Sequence, residues 1–410
     1  MLYQLFEYIH THYDIPGSGL LRYLSFRSAL AFITAFLISL LYGKKLIRKL
    51  RQNQIGEKVR DLGLAGQKQK EGTPTMGGIL IILSTLVPVL LFNDLSNIYI
   101  QLLILTVLWI GAIGFIDDYI KVIKKDKGGL RGKFKVLGQV VLGIMIGLAI
   151  LLHPDIKIRT KIYPGKTIQT AQSGVKRIHF NQPEKSLKTT LPLIKHNEFD
   201  YQWLLPRSLR KYKWLLGLIF VLIVTFIITA VSNGVNLTDG IDGLAAGTSA
   251  ASVAALALLA WISGNMIFTD YLNIMYIPGV GEISVFLSAF LGGLLGFLWF
   301  NAFPADVFMG DTGSLTIGAV IAVISVFIRK ELLLPVLGGI FLAETLSVII
   351  QTRYFKYTRK RYGEGRRVFK MAPLHHHYQK LGLHENKIVV RFWIVALLLA
   401  TVSIALLKVK

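Results

Sequence analysis

Residues 310–314 read "GDTGS", and "NAFPADVFM" precedes them at 301–309. Apolar runs flank this patch on both sides: "ISVFLSAFLGGLLGFLWF" before it, over 283–300, and "LTIGAVIAVISVFI" after it, over 315–328. A run of about 20 apolar residues crosses the hydrocarbon core of a bilayer as a helix, and inside lipid only a helix or a closed barrel satisfies its own backbone. The patch therefore places a carboxylate, two hydroxyls and two glycines at a membrane edge. That reading decides the fold and leaves the question of what Asp311 does there.

Working outward, similar apolar runs recur along the chain, which has 410 residues, 53% of them hydrophobic and 17% charged. An ordinary soluble domain is less apolar. The expected fold is all-α, a single polytopic membrane domain over residues 1–410. Ten spans are expected, at 22–42, 77–96, 99–116, 134–152, 214–232, 244–262, 283–302, 313–328, 332–351 and 389–407. The net charge of +23 fits basic cytoplasmic loops and attraction to anionic lipids or phosphorylated substrates, so no nucleic-acid partner is implied. The chain has no cysteine, which excludes disulfides, thiolate metal sites and cysteine nucleophiles. The first 20 residues do not have the pattern of a cleavable signal peptide.

An even number of spans puts both termini on one side. "GKKLIRKLRQ", "KVIKKDKGGLRGK" and "TRYFKYTRKRYGEGRR" follow spans one, three and nine, and this bias makes those loops cytoplasmic and both termini external. The exception is the basic stretch 153–213, read as an external insertion, since long loops cross regardless of charge. Within it "IYPGKTIQT" and "GVKRIHF" alternate around a Pro-Gly turn, the pattern of a short β-hairpin. No chemistry is legible in it.

Five polar clusters remain: "KEGTPTMGG" (70–78), "DDYIK" (117–121), "NLTDGIDG" (236–243), "NAFPADVFMGDTGS" (301–314) and "APLHHHY" (372–378). On this topology all five fall on the cytoplasmic side, as expected if they build one site. Asp117 and Asp118 close span three, where the negative end of the helix dipole disfavours carboxylates unless a cation is near; Lys121 is one turn on. Asp239 reads equally as a helix cap, although Asp242, Asn236 and the flanking glycines offer oxygens and open N–H groups to a polar ligand. Thr312 or Ser314 can cap span eight, whose N-terminus also attracts phosphate. Asp311 beside a phosphate adds repulsion unless a divalent cation lies between them, so it reads as a Mg²⁺ ligand. Phe308 is either a lipid-facing side chain or a platform on which a base stacks. Lys70 can meet a phosphate. His375, His376 and His377 cannot all face one point, lack the usual zinc spacing, and serve near neutral pH as phosphate donors or proton carriers unless they are simply solvated.

"GTPTMGG", "DDYIK", "NLTDGIDGLA", "FMGDTGS" and "PLHHHY", in this order over about residues 44–405, closely resemble the phospho-N-acetylmuramoyl-pentapeptide-transferase family, within the superfamily of polyprenyl-phosphate N-acetylhexosamine-1-phosphate transferases. The resemblance implies a Mg²⁺-dependent enzyme of the bacterial cytoplasmic (inner) membrane that joins UDP-N-acetylmuramoyl-pentapeptide to undecaprenyl phosphate, giving lipid I and UMP in peptidoglycan synthesis. It implies Asp311 as metal ligand, Asp117 and Asp118 as catalytic aspartates, and His375–His377 as the family's histidine motif. Lys70, Thr75, Lys121, Lys133, Asn236, Asp239, Asp242, Asn301 and Phe308 match substrate-binding positions, with Phe308 as the uracil platform. It further implies a homodimer and a ninth helix interrupted near its cytoplasmic end. The insertion 153–213 departs from the family pattern.

The expected chemistry is direct attack of the lipid phosphate on the β-phosphorus of the UDP-sugar, with Asp117 or Asp118 orienting the nucleophile. The competing scheme forms a covalent aspartyl intermediate. A sister transferase using UDP-N-acetylglucosamine is the nearest alternative function. A transporter would place its charges at mid-membrane instead.

Overall fold

The computed structural model describes residues 1–13, 17–53, 70, 72–126, 128–161, 180–192 and 197–408. Among them the helices are α1 (Leu2–Tyr13), α2 (Leu24–Asn53), α3 (Gly78–Phe92), α4 (Ile98–Val122), α5 (Gly132–Leu152), α6 (Lys213–Thr238), α7 (Leu244–Ser263), α8 (Met266–Leu272), α9 (Glu282–Asn301), α10 (Gly310–Phe327), α11 (Leu334–Leu337), α12 (Gly339–Tyr362), α13 (Leu374–Lys380) and α14 (Glu385–Leu406). Eight of these, α2, α4–α7, α9, α10 and α14, are long and apolar enough to cross a membrane, and α11 with α12 makes a ninth if the bent pair is one span. The tenth expected span is α3, an apolar helix of 15 residues. The fold is thus an all-α polytopic membrane protein.

Two of these segments differ from the sequence expectation. Helix α3 is shorter than 77–96 because Asn93 turns the chain, its side-chain amide donating to the Glu282 carbonyl at 2.9 Å. The ninth span is broken at its start: α12 is one unbroken helix and is bent 77° from the segment Glu331–Leu337 before it. The break therefore falls at Gly338, near the start of the expected ninth span. Pro335 and the Gly338–Gly339 pair account for it, since Pro and Gly are the usual causes of sharp bends.

Helix α10 is the axis of the bundle. In its membrane window 89% of residues are buried, against 22–28% for α2, α6 and α14, which form the periphery. It packs on α4 and α6, and α9 packs on α2, α3 and α7. Small residues permit this density, as they do generally between membrane helices. A Cβ on Gly114 of α4 would lie 2.4 Å from the Asp311 carbonyl, and one on Gly318 of α10 would lie 2.6 Å from the Ser232 Cα on α6.

The described residues of 153–213 dock at the far end of α10. The stretch read as a hairpin, 162–179, lies outside the described residues, although Lys161 and Phe180, which bracket it, form an antiparallel bridge. A two-stranded antiparallel hairpin does form further on, from β1 (Lys188–Thr190) and β2 (Glu198–Asp200), with Lys188 opposite Asp200. It is fastened to the turn after α10. The Thr190 N–H donates to the Arg329 carbonyl (3.1 Å), Lys330 Nζ donates to Thr190 Oγ1 (2.8 Å) and the Tyr201 hydroxyl donates to Glu331 Oε1 (2.8 Å).

Candidate active site

The opposite end of α10 begins with "GDTGS". Gly310 has φ 74°, the left-handed region, and a Cβ there would lie 2.6 Å from Asp118 Oδ2, so glycine is required on both counts. The segment before it is zipped to the approach to α3 through backbone bonds: Phe308 N–H to the Pro74 carbonyl (2.8 Å), Gly77 N–H to the Phe308 carbonyl (2.9 Å) and Gly78 N–H to the Met309 carbonyl (2.9 Å). "GTPTMGG" and "FMGDTGS", distant in sequence, are therefore one piece of structure. Thr75 is buried here, with its hydroxyl 3.0 Å from where a Gly310 Cβ would stand.

Helix α4 ends against this piece. Asp118 is buried and accepts hydrogen bonds from the N–H groups of Asp311 (3.0 Å) and Thr312 (2.9 Å) and from the Thr312 hydroxyl (2.6 Å). It is the cap of α10, satisfying amides that a helix start leaves open. Asp117, fully buried, accepts from the Leu130 N–H at 2.7 Å. Two lysines neutralise the pair it makes with Asp311: Lys121 Nζ lies 2.5 Å from Asp117 Oδ2, and Lys135 Nζ lies 2.9 Å from that atom and 2.6 Å from Asp311 Oδ2. Asn236, on the last turn of α6, donates to Asp311 Oδ1 (3.0 Å) and Ser314 Oγ (2.9 Å).

Oxygen atoms of Asp117, Asp118 and Asp311 lie within 4.8 Å of one another. Three carboxylates at that spacing form a hard-donor set suited to a divalent cation. Asp118 is already committed to α10, so Asp117 and Asp311, which share a lysine, are the better placed ligands.

A second cluster sits to one side. Lys70 Nζ lies 2.7 Å from Asp242 Oδ1 and 2.5 Å from Glu385 Oε1. Asp242 Oδ2 accepts from the Ala305 N–H (3.1 Å), and Asn301 Oδ1 accepts from the Gly243 N–H (3.1 Å). Asp239 stands between the clusters. Desolvation and the carboxylates of Asp311, Asp118 and Asp242 push its carboxyl up to about 8.

The three histidines occupy three environments, as their adjacency requires. His375 is buried: its N–H donates to Glu344 Oε1 at 3.2 Å, its Nδ1 lies 3.2 Å from Glu344 Oε2, and its ring abuts Gly240, where a Cβ would lie 2.2 Å from Nε2. It supports the turn that carries Asp239 and Asp242. His376 bonds Gln379 Oε1 through Nδ1 (2.8 Å), and desolvation with His375 beside it pushes it down to about 4. His377 Nδ1 accepts from the Lys370 N–H at 3.1 Å.

Thus Asp117, Asp118, Asp311, Lys121, Asn236 and Thr75 share one focus, and Lys70, Asp242 and Asn301 a neighbouring one, with Phe308 between the α3 approach and α10. Lys133 is exposed on the first turn of α5 and makes no hydrogen bond or ion pair among the described residues; Lys135, two residues on, holds the aspartates. Lys135, Glu344 and Glu385 were not singled out from sequence.

The description "Glycosyl transferase family 4" fits residues 100–329, and signature 1 of the phospho-N-acetylmuramoyl-pentapeptide-transferases fits residues 70–82. Similar relatives bear that transferase's name: proteins of Flavobacterium johnsoniae (59% identical over 410 residues), Flavobacterium psychrophilum (59% over 414) and Amoebophilus asiaticus (55% over 410), with each chain covered completely. With its aspartates, lysines and glycine turns drawn to one end of a helical membrane bundle, this chain belongs to the phospho-N-acetylmuramoyl-pentapeptide-transferase family.

Proposed function

We propose that this protein transfers phospho-N-acetylmuramoyl-pentapeptide from its UDP-linked form to undecaprenyl phosphate, yielding lipid I and UMP with Mg²⁺ as cofactor. The observation that carries the reading is the meeting of Asp117, Asp118 and Asp311 with Lys121 and Lys135 at the mouth of the bundle. Such a site can hold a diphosphate against a metal and two ammonium groups. The names of the relatives support the muramoyl-pentapeptide donor over the N-acetylglucosamine alternative.

Asp311 and Asp117 would hold the cation, which supplies positive charge against the pyrophosphate oxygens. Lys121 and Lys135, which pair with these carboxylates, would add their ammonium charge against the same phosphates. A phosphate monoester is largely dianionic at pH 7, so the lipid phosphate attacks without a strong base. Neither paired aspartate is free for covalent catalysis: Asp118 holds three donors of α10, and Asp117 holds the Leu130 amide and two lysines. These commitments favour direct attack, with catalysis resting on positioning and electrostatics. The Lys70–Asp242 region, with Asn301 and Phe308, receives the nucleoside end of the donor.

The protein acts in the bacterial inner membrane, with its termini and the 153–213 insertion external, the active site facing the cytoplasm, and two copies forming a homodimer. The test is UMP release from UDP-N-acetylmuramoyl-pentapeptide by purified protein, with Mg²⁺ and undecaprenyl phosphate each present or omitted. Release only when both are present is expected; flux of substrate across liposomes without UMP release would refute the reading.

A further inference from the structure

Four segments meet at the ammonium of Lys70: its own approach to α3, the turn 239–243, the 301–308 connection and the first turn of α14. The last contributes Glu385. Its Oε1 takes the Lys70 ammonium at 2.5 Å and the Asp242 N–H at 2.8 Å, and its side chain is 7% exposed. Asp242 in turn takes Lys70 on Oδ1 and Ala305 N–H on Oδ2. His384, which caps α14, sets its ring edge-on against Phe303 at 5.3 Å, and the Trp393 indole N–H donates to the Gly243 carbonyl at 3.1 Å. The beginning of the last helix thus grips both the lysine and the turn.

We propose that Glu385 is a positioning residue for the nucleotide donor: it fixes Lys70 and Asp242 in the relative geometry that receives the nucleoside end. This rests on the transferase reading above. A lysine between two carboxylates presents its remaining N–H in one fixed direction, since an ammonium has three donors and two are engaged among the described residues. Without Glu385 the long Lys70 side chain keeps one partner and recovers rotamer freedom, which the donor must then remove on binding. The Asp242 N–H also loses its acceptor, loosening the turn on which Asp242 and Asp239 sit. No ion pair joins this cluster to Asp117 or Asp311 among the described residues, so the effect is on donor affinity and not on the phosphoryl step.

Glu385→Ala and Glu385→Gln are compared with the wild type in steady-state turnover and in calorimetric binding of UMP. In Glu385→Ala the KM for the UDP-sugar and the Kd for UMP should rise together, by roughly ten- to a hundredfold, the range for losing a hydrogen bond to a charged group. The kcat, the KM for undecaprenyl phosphate and the Mg²⁺ dependence should not change. Glu385→Gln keeps the acceptor oxygen and should show a smaller rise; it carries the test if the alanine variant fails to fold. A fall in kcat with unchanged donor KM and UMP affinity, or variants equal to the wild type in both, would overturn the proposal. A wild type that binds UMP but turns over no muramoyl donor would count against the proposed reaction instead, and the binding comparison would still decide the role of Glu385.

Discussion

Asp118 caps the helix that begins with Asp311. Its carboxylate gathers the amides of Asp311 and Thr312 and the Thr312 hydroxyl, all within 3.0 Å, so one aspartate of the adjacent pair orients the backbone on which the third is mounted. Asp117, one residue away, has a different task, since its oxygens go to Leu130, Lys121 and Lys135.

The two should therefore fail differently. Asp118→Ala removes a helix cap, which costs roughly 0.5–2 kcal/mol, and should lower melting temperature and turnover together. Thr312→Val, which removes one of the three donors, should show a weaker form of both. Asp117→Asn should lose turnover with a smaller change in melting. Thermal unfolding in detergent beside UMP release separates them, and an Asp118→Ala protein that melts like the wild type would contradict the capping role.

Lys135 and Lys133 give a second contrast. Lys135→Met removes a cation shared by Asp117 and Asp311 and should reduce kcat on the order of 10²-fold, as for loss of one transition-state electrostatic contact. Lys133→Met should leave kcat unchanged. Equal losses in the two variants would mean that Lys133 reaches the substrate by a route absent from these contacts.

That pair also shows where the sequence was informative. Asp311, Asp117 and Asp118 were legible because carboxylates at membrane helix ends are costly without a partner, and the spans were legible because lipid demands long apolar helices. Lys133 was named by resemblance and Lys135 was not singled out, yet α5 carried a signal for Lys135. Residues 138, 139, 142 and 146 fall on the face of Lys135 at helical spacing and are buried, whereas Val136 and Leu137, on the face of Lys133, are exposed. Glu385 was hidden, since an acid in a first helical turn is ordinary. So was the β1–β2 hairpin, because "KTT" and "EFD" are too short to show alternation.

At the far end of α10, Lys330 is 1% exposed. Burial pushes its ammonium down to about 7, the adjacent Glu331 opposing and Arg329 adding to the shift. The unfolded chain binds this proton up to about pH 10.4, so between about 7 and 10 the unfolded state holds more protons and stability rises with pH. Lys330→Met should therefore gain most over the wild type near pH 6, and the gap should narrow by pH 9. Melting curves across that range test this. Tyr201→Phe, which strips a hydrogen bond from buried Glu331, should cost about 1–3 kcal/mol while leaving turnover per folded molecule intact, since the bond lies at the end of α10 away from Asp311.

The remaining prediction concerns the order of bond making. Asp311→Asn keeps the shape of the site and its Asn236 neighbour but removes the charge that faces a cation. Turnover should fall on the order of 10²–10³-fold, with only partial recovery in excess Mg²⁺, because an amide oxygen is a weaker ligand for a hard cation. Direct attack further requires that no UMP leave before the lipid phosphate arrives. Were Asp117 the nucleophile, it would first have to give up Lys121, Lys135 and the Leu130 amide; were Asp118, the start of α10 would lose its cap at the moment Asp311 is needed. Rapid-quench measurement on rigorously lipid-free enzyme with UDP-N-acetylmuramoyl-pentapeptide and Mg²⁺ should show no burst. One equivalent of UMP released per active site would establish the covalent route and would require one of those two carboxylates to exchange its partners within a turnover, leaving the proposed role of Asp311 as metal ligand unaffected.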